Sequence, residues 1–398
     1  MPLIPALVLG LAHAHGPAPA ALGVLAWEDA GCEAVPAGRT PALVRSNIGL
    51  LAHAGDGTYT YGCPSRWGDT EQALAVADPR GQQVLLAGSV GAWWSPDAGC
   101  TAVALDLPRE DVPLDLAWAG DRALLLTRRF DDGSTALWGA RDGGLELLLR
   151  TDALAADGLA VGPDGRVWLA GEAEGPVLAI WEGGALGSLR PLLLDPVPER
   201  LRPRLADADG LWLVAGVGTR QELVRVEEDA VLPTGLGGTV LLGPARLGGE
   251  AAVAIDGRLW GEGAEGWTER GSAEGWTCLG TGPAGAYACA LDRVFALEPT
   301  GGQPRVTTVF SLVQLGGPDP SCPDPQGSCA LEWAHFGGES GLVDTSPATC
   351  PDGRRGTPDT GDTGAPGPGE SCGCASSGGG ALALLPLAGL LRRRRRAC

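Results

Sequence analysis

The sequence predicts an all-β protein built from repeated strand units, and three observations support this prediction. Glycine and proline account for 64 and 32 of the 398 residues, a content typical of many short strands joined by turns. Hydrophobic residues make up 44% of the chain, enough for a sizeable core. A phrase made of a turn, a short apolar strand and small residues recurs every 35 to 48 residues.

The recurring phrase begins at a turn that often contains Asp-Gly. Copies lie at residues 81–88, 120–127, 163–171, 208–216, 255–263 and 291–298, with a weaker copy at 46–57. The bulky residue shortly after the turn is Leu85, Leu124, Trp168, Trp212, Trp260 or Phe295. Hairpin patterns, two apolar strands around a polar turn, follow at 135–149, 176–194 and 221–232.

A repeat of this length with several strands per unit is what a β-propeller blade requires. One blade cannot bury both of its faces, so neighbouring blades must stack around a central axis. We therefore predict a β-propeller of about seven blades over residues 15–350, with six and eight blades as alternatives. The bulky residues at the repeat positions are expected to fill the space between blades.

The N-terminus carries the features of a targeting segment. An apolar run at residues 3–12 is followed by Ala12-His13-Ala14, with small residues at the two positions that a signal peptidase selects. This pattern predicts a secretory signal peptide over residues 1–14, although neither Arg nor Lys precedes the apolar run.

A linker rich in Pro, Gly and Thr is predicted over residues 351–371. Residues 359–361 and 362–364 within it match the Asp-Thr-Gly triplet of aspartic proteases. Those enzymes hold each Asp in a buried turn with apolar flanks, which are missing here, so the linker interpretation is favoured.

The C-terminal residues 372–398 have three parts in order. Cys372-Gly373-Cys374 comes first, then a small and apolar stretch at 375–391, then an arginine cluster. The cluster consists of Arg392, Arg393, Arg394, Arg395 and Arg396. The apolar stretch is at the short limit for a membrane span and contains Pro386, which favours a transient span over a lasting anchor.

This layout resembles the MYXO-CTERM sorting signal of myxobacteria and their relatives, over residues 372–396. The resemblance implies cleavage by a membrane sorting protease near the cysteines, with Cys372 or Cys374 as the anchor position. It also implies a membrane partner, through a transient span or a lipid anchor, and localisation at the cell surface or outer membrane. A permanent single-span anchor is the alternative.

Eleven cysteines indicate an oxidising compartment. Cys278 and Cys289 flank a hairpin and are predicted to staple it, and Cys322 and Cys329 are predicted to close a short loop. The remaining body cysteines, Cys32, Cys63, Cys100 and Cys350, can pair in three ways, and the sequence does not choose among them. Because no Cys-x-x-Cys pair occurs, a zinc site is disfavoured.

One turn has a recognisable pattern of its own, running from Ser95 through Asp97 and Gly99. It resembles the Asp-box of sialidase-type and BNR-repeat propellers, in which the Ser and Asp side chains tie a tight turn to the backbone. Val103 stands where that motif has an aromatic residue, and Cys100 is foreign to it. The resemblance implies a structural role for the turn.

Composition excludes one class of partner, and motifs support no active site. The net charge of −19 disfavours nucleic acid. No catalytic, metal or cofactor-binding set is predicted from the four histidines. His13 and His15 fall in or beside the signal peptide, and His53 and His335 have no second ligand at i+2 or i+4. A sialidase-like hydrolase needs a Tyr nucleophile, but Tyr59, Tyr61 and Tyr287 are interpreted as sheet aromatics.

The predicted function is therefore that of a binding or scaffold module, favoured over an enzyme. Its partner class is a polysaccharide or a surface protein, and a secreted glycosidase or lyase is the alternative. One hypothesis places Trp93, Trp94, Trp267 and Trp276 at blade edges, where they would stack on sugars.

Overall fold

The computed structural model of the protein describes residues 21–28, 40–55, 57–67, 74–207, 210–227, 230–282, 285–324 and 327–340, with side chains to residue 334. All of them belong to the first of two units into which the chain divides, residues 1–358 and 359–398. Their strands form seven sheets, each built from a continuous stretch of sequence except for one added strand. This topology confirms the all-β propeller and shows seven blades.

The first four blades contain the following strands. Blade 1 has β1 (Ala21–Glu28), β2 (Thr40–Ser46), β3 (Gly49–His53) and β4 (Tyr59–Gly62). Blade 2 has β5 (Leu74–Ala77), β6 (Val84–Gly88), β7 (Gly91–Ser95) and β8 (Val103–Leu105). Blade 3 has β9 (Asp111–Ala119), β10 (Arg122–Arg129), β11 (Thr135–Arg141) and β12 (Gly144–Thr151). Blade 4 has β13 (Ala155–Val161), β14 (Val167–Glu172) and β15 (Pro176–Glu182), with β16 (Ala185–Leu186) and β17 (Arg190–Pro191) on its outer edge.

The remaining three blades each have four strands. Blade 5 has β18 (Arg200–Asp207), β19 (Gly210–Val217), β20 (Arg220–Val226) and β21 (Val231–Gly238). Blade 6 has β22 (Leu241–Leu247), β23 (Glu250–Ile255), β24 (Arg258–Gly263) and β25 (Gly266–Ser272). Blade 7 has β26 (Trp276–Gly282), β27 (Gly285–Ala290), β28 (Arg293–Glu298) and β29 (Arg305–Ser311). The first strands of successive blades contact one another from β1 round to β26 and back to β1, so they form the inner ring.

A hydrophobic cluster fills each of the seven interfaces between neighbouring blades. Strand β10 shows how alternation along a strand serves two interfaces. Leu124 and Leu126 belong to the cluster shared with blade 4, while Leu125 belongs to the cluster shared with blade 2. Trp212 is only 1% exposed and packs edge-to-face on Trp267 of blade 6, with ring centroids 5.7 Å apart. The bulky residue therefore fills the space between blades, as the sequence predicts.

The repeat positions do not all fall on the same strand of the blade. Leu85 and the next three repeat residues lie on second strands, but Trp260 and Phe295 lie on the third strands β24 and β28. The alignment of the last two copies is therefore wrong by one strand. The physical reason is that short turns with left-handed residues join strands one and two as well as strands two and three, so the same phrase can mark either hairpin.

Side-chain hydrogen bonds hold the turn between β7 and β8. The backbone N–H of Gly99 donates to Ser95 Oγ at 2.8 Å, and the N–H of Thr101 donates to Asp97 Oδ1 at 2.7 Å. Ser95 Oγ in turn donates to Asp97 Oδ1 at 2.9 Å. Gly99 has a φ of +93°, which a residue without Cβ adopts readily. These bonds fix the turn and hold Cys100 in place.

The chain after blade 7 returns to blade 1 as a segment that we call the C-terminal strap, residues 315–340. Its strand β30 (Leu315–Pro318) pairs in parallel with β4 and becomes the outermost strand of blade 1. Helix α1 (Ser328–Ser340) follows, and Trp333 on it packs against Tyr61 with ring centroids 5.5 Å apart. The predicted all-β body therefore includes an α-helix, in addition to two short 3-10 helices at Pro64–Trp67 and Leu312–Gln314.

Two disulfides attach the C-terminal strap to the first two blades. They are Cys63–Cys329 and Cys100–Cys322, with Cα atoms 5.4 and 5.0 Å apart. The predicted Cys322–Cys329 loop closure is therefore wrong, because the strap places each cysteine opposite a different blade. The predicted hairpin bridge Cys278–Cys289 is confirmed, with a Cα separation of 4.8 Å. Three disulfides indicate an extracellular or otherwise oxidising environment.

Several sequence predictions concern residues outside the described part of the chain. These are the signal peptide at 1–14, the linker at 351–371, the sorting signal at 372–398, Cys32 and Cys350. Among the described residues, no helix has both the length and the apolar character needed to cross a membrane.

Candidate functional site

The central channel is the candidate site, and the first strand of each blade lines it. Small residues allow these strands to come close together. A Cβ atom at Gly158 on β13 would lie 2.9 Å from Asp115 Oδ2 and 3.1 Å from Pro203 Cδ. Since Asp115 and Pro203 belong to the strands on either side, Gly158 is needed for the spacing of three successive blades.

Carboxylates on the inner strands bind the backbone of the next blade. The N–H of Leu159 donates to Asp115 Oδ2 at 3.0 Å, and the N–H of Leu201 donates to Asp157 Oδ2 at 3.0 Å. Asp157 also accepts a hydrogen bond of 3.2 Å from Arg128 Nη2. These bonds join blade 3 to blade 4 and blade 4 to blade 5, and they hold the channel wall rigid.

Arg204 on β18 lies between two cavities in the channel wall. One cavity, of about 310 Å³, is lined by β9, β13 and β18, and the other, of about 400 Å³, by β18, β22 and β26. Arg204 and Leu205 line both cavities. Arg204 is solvent-exposed and makes no hydrogen bond or ion pair with any residue of the described ranges. Its guanidinium is therefore available to a ligand.

The charged groups near Arg204 shift its pKa in opposite directions. The side chain is open to water in the channel, but nearby protein atoms displace part of its hydration, which lowers the pKa of Arg204. Asp115 raises that pKa, and Arg202 lowers it. The pKa of Asp115 is also subject to opposing effects. Burial raises it and is the largest effect, while the hydrogen bond from the N–H of Leu159 and the positive charge of Arg204 lower it. A guanidinium remains charged at any physiological pH, so the channel keeps a fixed positive charge at this point.

A second arginine of the channel wall is already paired. Arg246 on β22 forms an ion pair with Asp207 on β18, and its Nη1 donates to the carbonyl oxygen of Gly249 at 2.9 Å. Its backbone N–H donates to Thr281 Oγ1 at 2.8 Å. Arg246 therefore serves to join blades 5, 6 and 7, in contrast to Arg204.

All three tyrosines of the chain have structural contacts. Their hydroxyl groups donate to backbone carbonyls, and the pairs are Tyr59 with Pro41 at 2.6 Å, Tyr61 with Ile48 at 2.8 Å and Tyr287 with Val24 at 3.2 Å. Burial, with the nearby charge of Glu28, raises the pKa of Tyr59 well above its usual range. The interpretation as sheet aromatics agrees with these contacts, and a Tyr nucleophile for a sialidase-like reaction finds no support.

His53 has a partner that the sequence does not reveal. Its Nδ1 contacts a carboxylate oxygen of Glu28, and its Nε2 accepts the N–H of Gly57 at 3.2 Å. A neutral ring with the proton on Nδ1 satisfies both contacts, and the side chain is only 1% exposed, so its role is structural. The side chain of His335 lies outside the description. No cluster of three or more His, Cys, Asp or Glu suited to a metal occurs within the described ranges.

The tryptophans proposed for sugar stacking pack against the clusters between blades. Trp94 is 2% exposed and stacks on Trp118 of blade 3, with ring centroids 6.1 Å apart. Trp93 and Trp276 pack, partly buried, against interface clusters. The hypothesis of exposed stacking platforms is therefore wrong for Trp94 and has no support for the others.

Sequence reasoning missed Asp115 and Arg204 as channel residues. The signal that marks them is a charged residue within a short apolar strand, as in the alternation of Arg200, Arg202 and Arg204 on β18. Only the assignment of that strand to the inner ring shows that these side chains line a channel rather than an outer surface.

Comparison with known proteins concerns the fold alone. No protein-family profile matches the chain, and no curated protein matches it. The fold is similar to YCF48 from Cyanidioschyzon merolae, at 14% identity and a TM-score of 0.47 over 70% of this chain and 95% of that one. It is also similar to a catalytically inactive virginiamycin B lyase from Staphylococcus aureus with quinupristin, at 11% identity and a TM-score of 0.42 over 60% and 83%. An ancestral GH74 enzyme matches at 8% identity and a TM-score of 0.48 over 74% and 47%. No functional residue is carried over from these proteins.

Proposed function

We propose that the protein is an exported β-propeller that works as a binding or scaffold module, with the central channel as its ligand site. The observation that carries this proposal is Arg204, an exposed guanidinium between two cavities of about 310 and 400 Å³, with no hydrogen-bond or ion-pair partner among the described residues. Concave sites with mostly apolar walls and a few polar groups are the usual places where proteins bind small molecules.

Display at the cell surface is the second part of the proposal. It rests on the three-part C-terminal segment with Cys372, Cys374 and Arg392–Arg396, which resembles the MYXO-CTERM signal. The disulfides of the propeller agree with export to an oxidising compartment. The proposed partners are a sorting protease, the membrane that receives the processed end, and a polysaccharide or surface protein bound by the propeller.

A binding screen with a channel-filling variant tests the ligand site. Thr281 is exposed and lines the larger cavity, so Thr281→Trp fills the cavity at the cost of one hydrogen bond to the Arg246 N–H. Thr268 on the outer strand β25 is also exposed, so Thr268→Trp is the matched control. The full chain is screened against soluble polysaccharides, metabolites and surface extracts, with a general glycosidase assay alongside.

The proposal expects at least one ligand whose binding is lost in Thr281→Trp and kept in Thr268→Trp. Binding that is equal in both variants would show that ligands are held elsewhere on the propeller. Turnover of a polysaccharide in the glycosidase assay would favour the enzyme alternative.

A further inference from the structure

We infer that the channel binds a small organic anion with an apolar body, its acidic group on Arg204 and its apolar part against the leucine-rich wall. This inference rests on the proposed function and assigns a small organic acid to that same channel, in addition to the polysaccharide or surface protein proposed as a partner of the propeller. It begins from the hydrogen-bonding capacity of Arg204. A guanidinium has five N–H donors, and none of those on Arg204 is given to a residue of the described ranges.

The carboxylate that acts on this charge is already hydrogen-bonded to the backbone. Asp115 acts electrostatically on Arg204 but forms no ion pair with it, and its two oxygens accept the N–H groups of Leu159 and Leu116, each at 3.0 Å. Arg202 adds a second positive charge two residues along the strand, and its Nε is buried without a hydrogen-bond partner. The site therefore carries more positive than available negative charge.

Part of the wall of the larger cavity is apolar and can cover the hydrocarbon part of a ligand. The larger cavity presents Leu241, Leu242 and Leu279 around Arg204, and the smaller one presents Ala160 and Val161. A bare inorganic anion would satisfy the guanidinium and leave these surfaces wet, whereas a hydrocarbon chain gains by covering them. A planar carboxylate also matches the fork of the guanidinium with two parallel hydrogen bonds.

Asp115 limits the charge of the ligand. A group bound to Arg204 comes under the influence of this carboxylate, so each extra negative charge on the ligand adds repulsion. A monoanion such as a carboxylate is therefore preferred over a dianion such as phosphate. This choice also separates an organic acid from a free phosphate as the source of the anion.

Titration calorimetry with the full chain tests the inference, with octanoate, octanamide and inorganic phosphate as probes. Octanamide has the same chain without the charge, and phosphate has charge without the chain. We expect wild type to bind octanoate at least about tenfold more tightly than either other probe. Arg204→Gln should remove the preference over octanamide, and Arg204→Lys should keep part of it, since it preserves the charge but not the fork.

The matched control is Arg305→Gln, because Arg305 lies on the outer strand β29 and its side chain is 73% exposed. It should leave octanoate binding unchanged. Equal binding of octanoate and octanamide by wild type, undiminished octanoate binding by Arg204→Gln, or no octanoate binding at all would overturn the inference. A further outcome separates this inference from the proposed function. If octanoate and octanamide both bind wild type and both fail to bind Thr281→Trp, while Arg204→Gln binds them as wild type does, the channel remains a ligand site and only the assignment of an anion is wrong.

Discussion

Asp157 and Leu201 join the inner strands of blades 4 and 5, through a hydrogen bond of 3.0 Å from the backbone N–H to the carboxylate. The side chain of Asp157 is only 19% exposed. Its removal leaves the N–H of Leu201 and the guanidinium of Arg128 without this acceptor, where little water can replace it. We expect Asp157→Ala to lower the free energy of unfolding by about 1–3 kcal/mol. Urea denaturation followed by tryptophan fluorescence measures the change.

Glu146→Ala provides the comparison for this prediction. Glu146 is a carboxylate of the outer strand β12 and is 72% exposed, with an ion pair of 3.6 Å to Arg122. Its loss should change the free energy of unfolding by less than about 0.5 kcal/mol. Equal changes in the free energy of unfolding for the two substitutions would contradict the prediction, because the inner-strand hydrogen bond would then stabilise the protein no more than an exposed ion pair.

The disulfide Cys63–Cys329 should contribute more stability than the hairpin bridge Cys278–Cys289. The two bonds close sequence separations of 266 and 11 residues. Because Cys100–Cys322 stays intact, the loop that Cys63–Cys329 closes runs through it and is about 44 residues long. The chain-entropy account then gives a loss of about 4 kcal/mol for Cys63→Ser with Cys329→Ser, against about 3 kcal/mol for the hairpin pair. Guanidinium denaturation of the two double variants measures both values. A larger loss for the hairpin pair would contradict the prediction.

Asp115 should give the protein a distinct pH dependence. Burial raises its pKa above the ordinary value of 3.8, so the folded chain binds this proton more tightly than the unfolded chain. The associated stability is complete below pH 3.8 and is lost as the pH rises through the higher folded-state pKa. We therefore expect the stability of wild type relative to Asp115→Asn to be greatest below pH 3.8 and to fall as the pH rises through the folded-state pKa.

Denaturation curves of wild type and Asp115→Asn at a series of pH values provide the measurement. The asparagine does not titrate, so the difference between the two proteins isolates Asp115 from the other carboxylates. A difference that stays constant or grows with pH would show that the folded-state pKa is not raised.

The turn between β7 and β8 should depend on Asp97. Its carboxylate accepts both the N–H and the hydroxyl of Thr101, at 2.7 and 2.8 Å. We expect Asp97→Ala to cost about 1–2 kcal/mol and to speed reduction of the neighbouring Cys100–Cys322 bond by a mild thiol. Thiol labelling with mass spectrometry measures the rate, with Cys278–Cys289 as the internal reference. Equal acceleration at both bonds would indicate general destabilisation instead.

The sorting proposal predicts a processed C-terminus. Mature protein from the cell surface should lack the residues after about 374, because cleavage near the cysteines removes the apolar stretch and the arginines. Mass spectrometry of the purified surface protein identifies its last residue. Recovery of an intact Arg392–Cys398 end would contradict the proposal.

Local patterns in the sequence predicted the architecture well. Alternating apolar residues and short turns gave the all-β class, and the repeat length gave the blades, because both depend on neighbours along the chain. The same locality explains the errors. Trp260 was aligned with Trp212 although the two lie on the third and second strands of their blades, since either hairpin of a blade shows the same turn chemistry.

Long-range relationships were beyond the reach of these patterns. Cys329 was assigned to nearby Cys322, while its partner Cys63 lies 266 residues away and becomes its neighbour only when the strap returns to blade 1. The surroundings of Arg204 were not predictable from local patterns either. Strands from three blades line each of the two cavities beside it, and these strands meet only when the ring closes. Both the partner of Cys329 and the cavities beside Arg204 therefore depend on how the blades assemble around the ring.

The C-terminal strap has a mechanical consequence. A force applied to the chain beyond residue 340 is carried by α1 to Cys329 and from there, through a covalent bond, to Cys63 at the end of blade 1. The load thus bypasses β30 and blade 7, whose outer strand β29 would otherwise be pulled next, after β30 had separated from β4. Blade 1 receives the tension instead, supported on both sides by its interface clusters. Tethered by this end, the ring resists tearing where an unlatched propeller would unzip blade by blade.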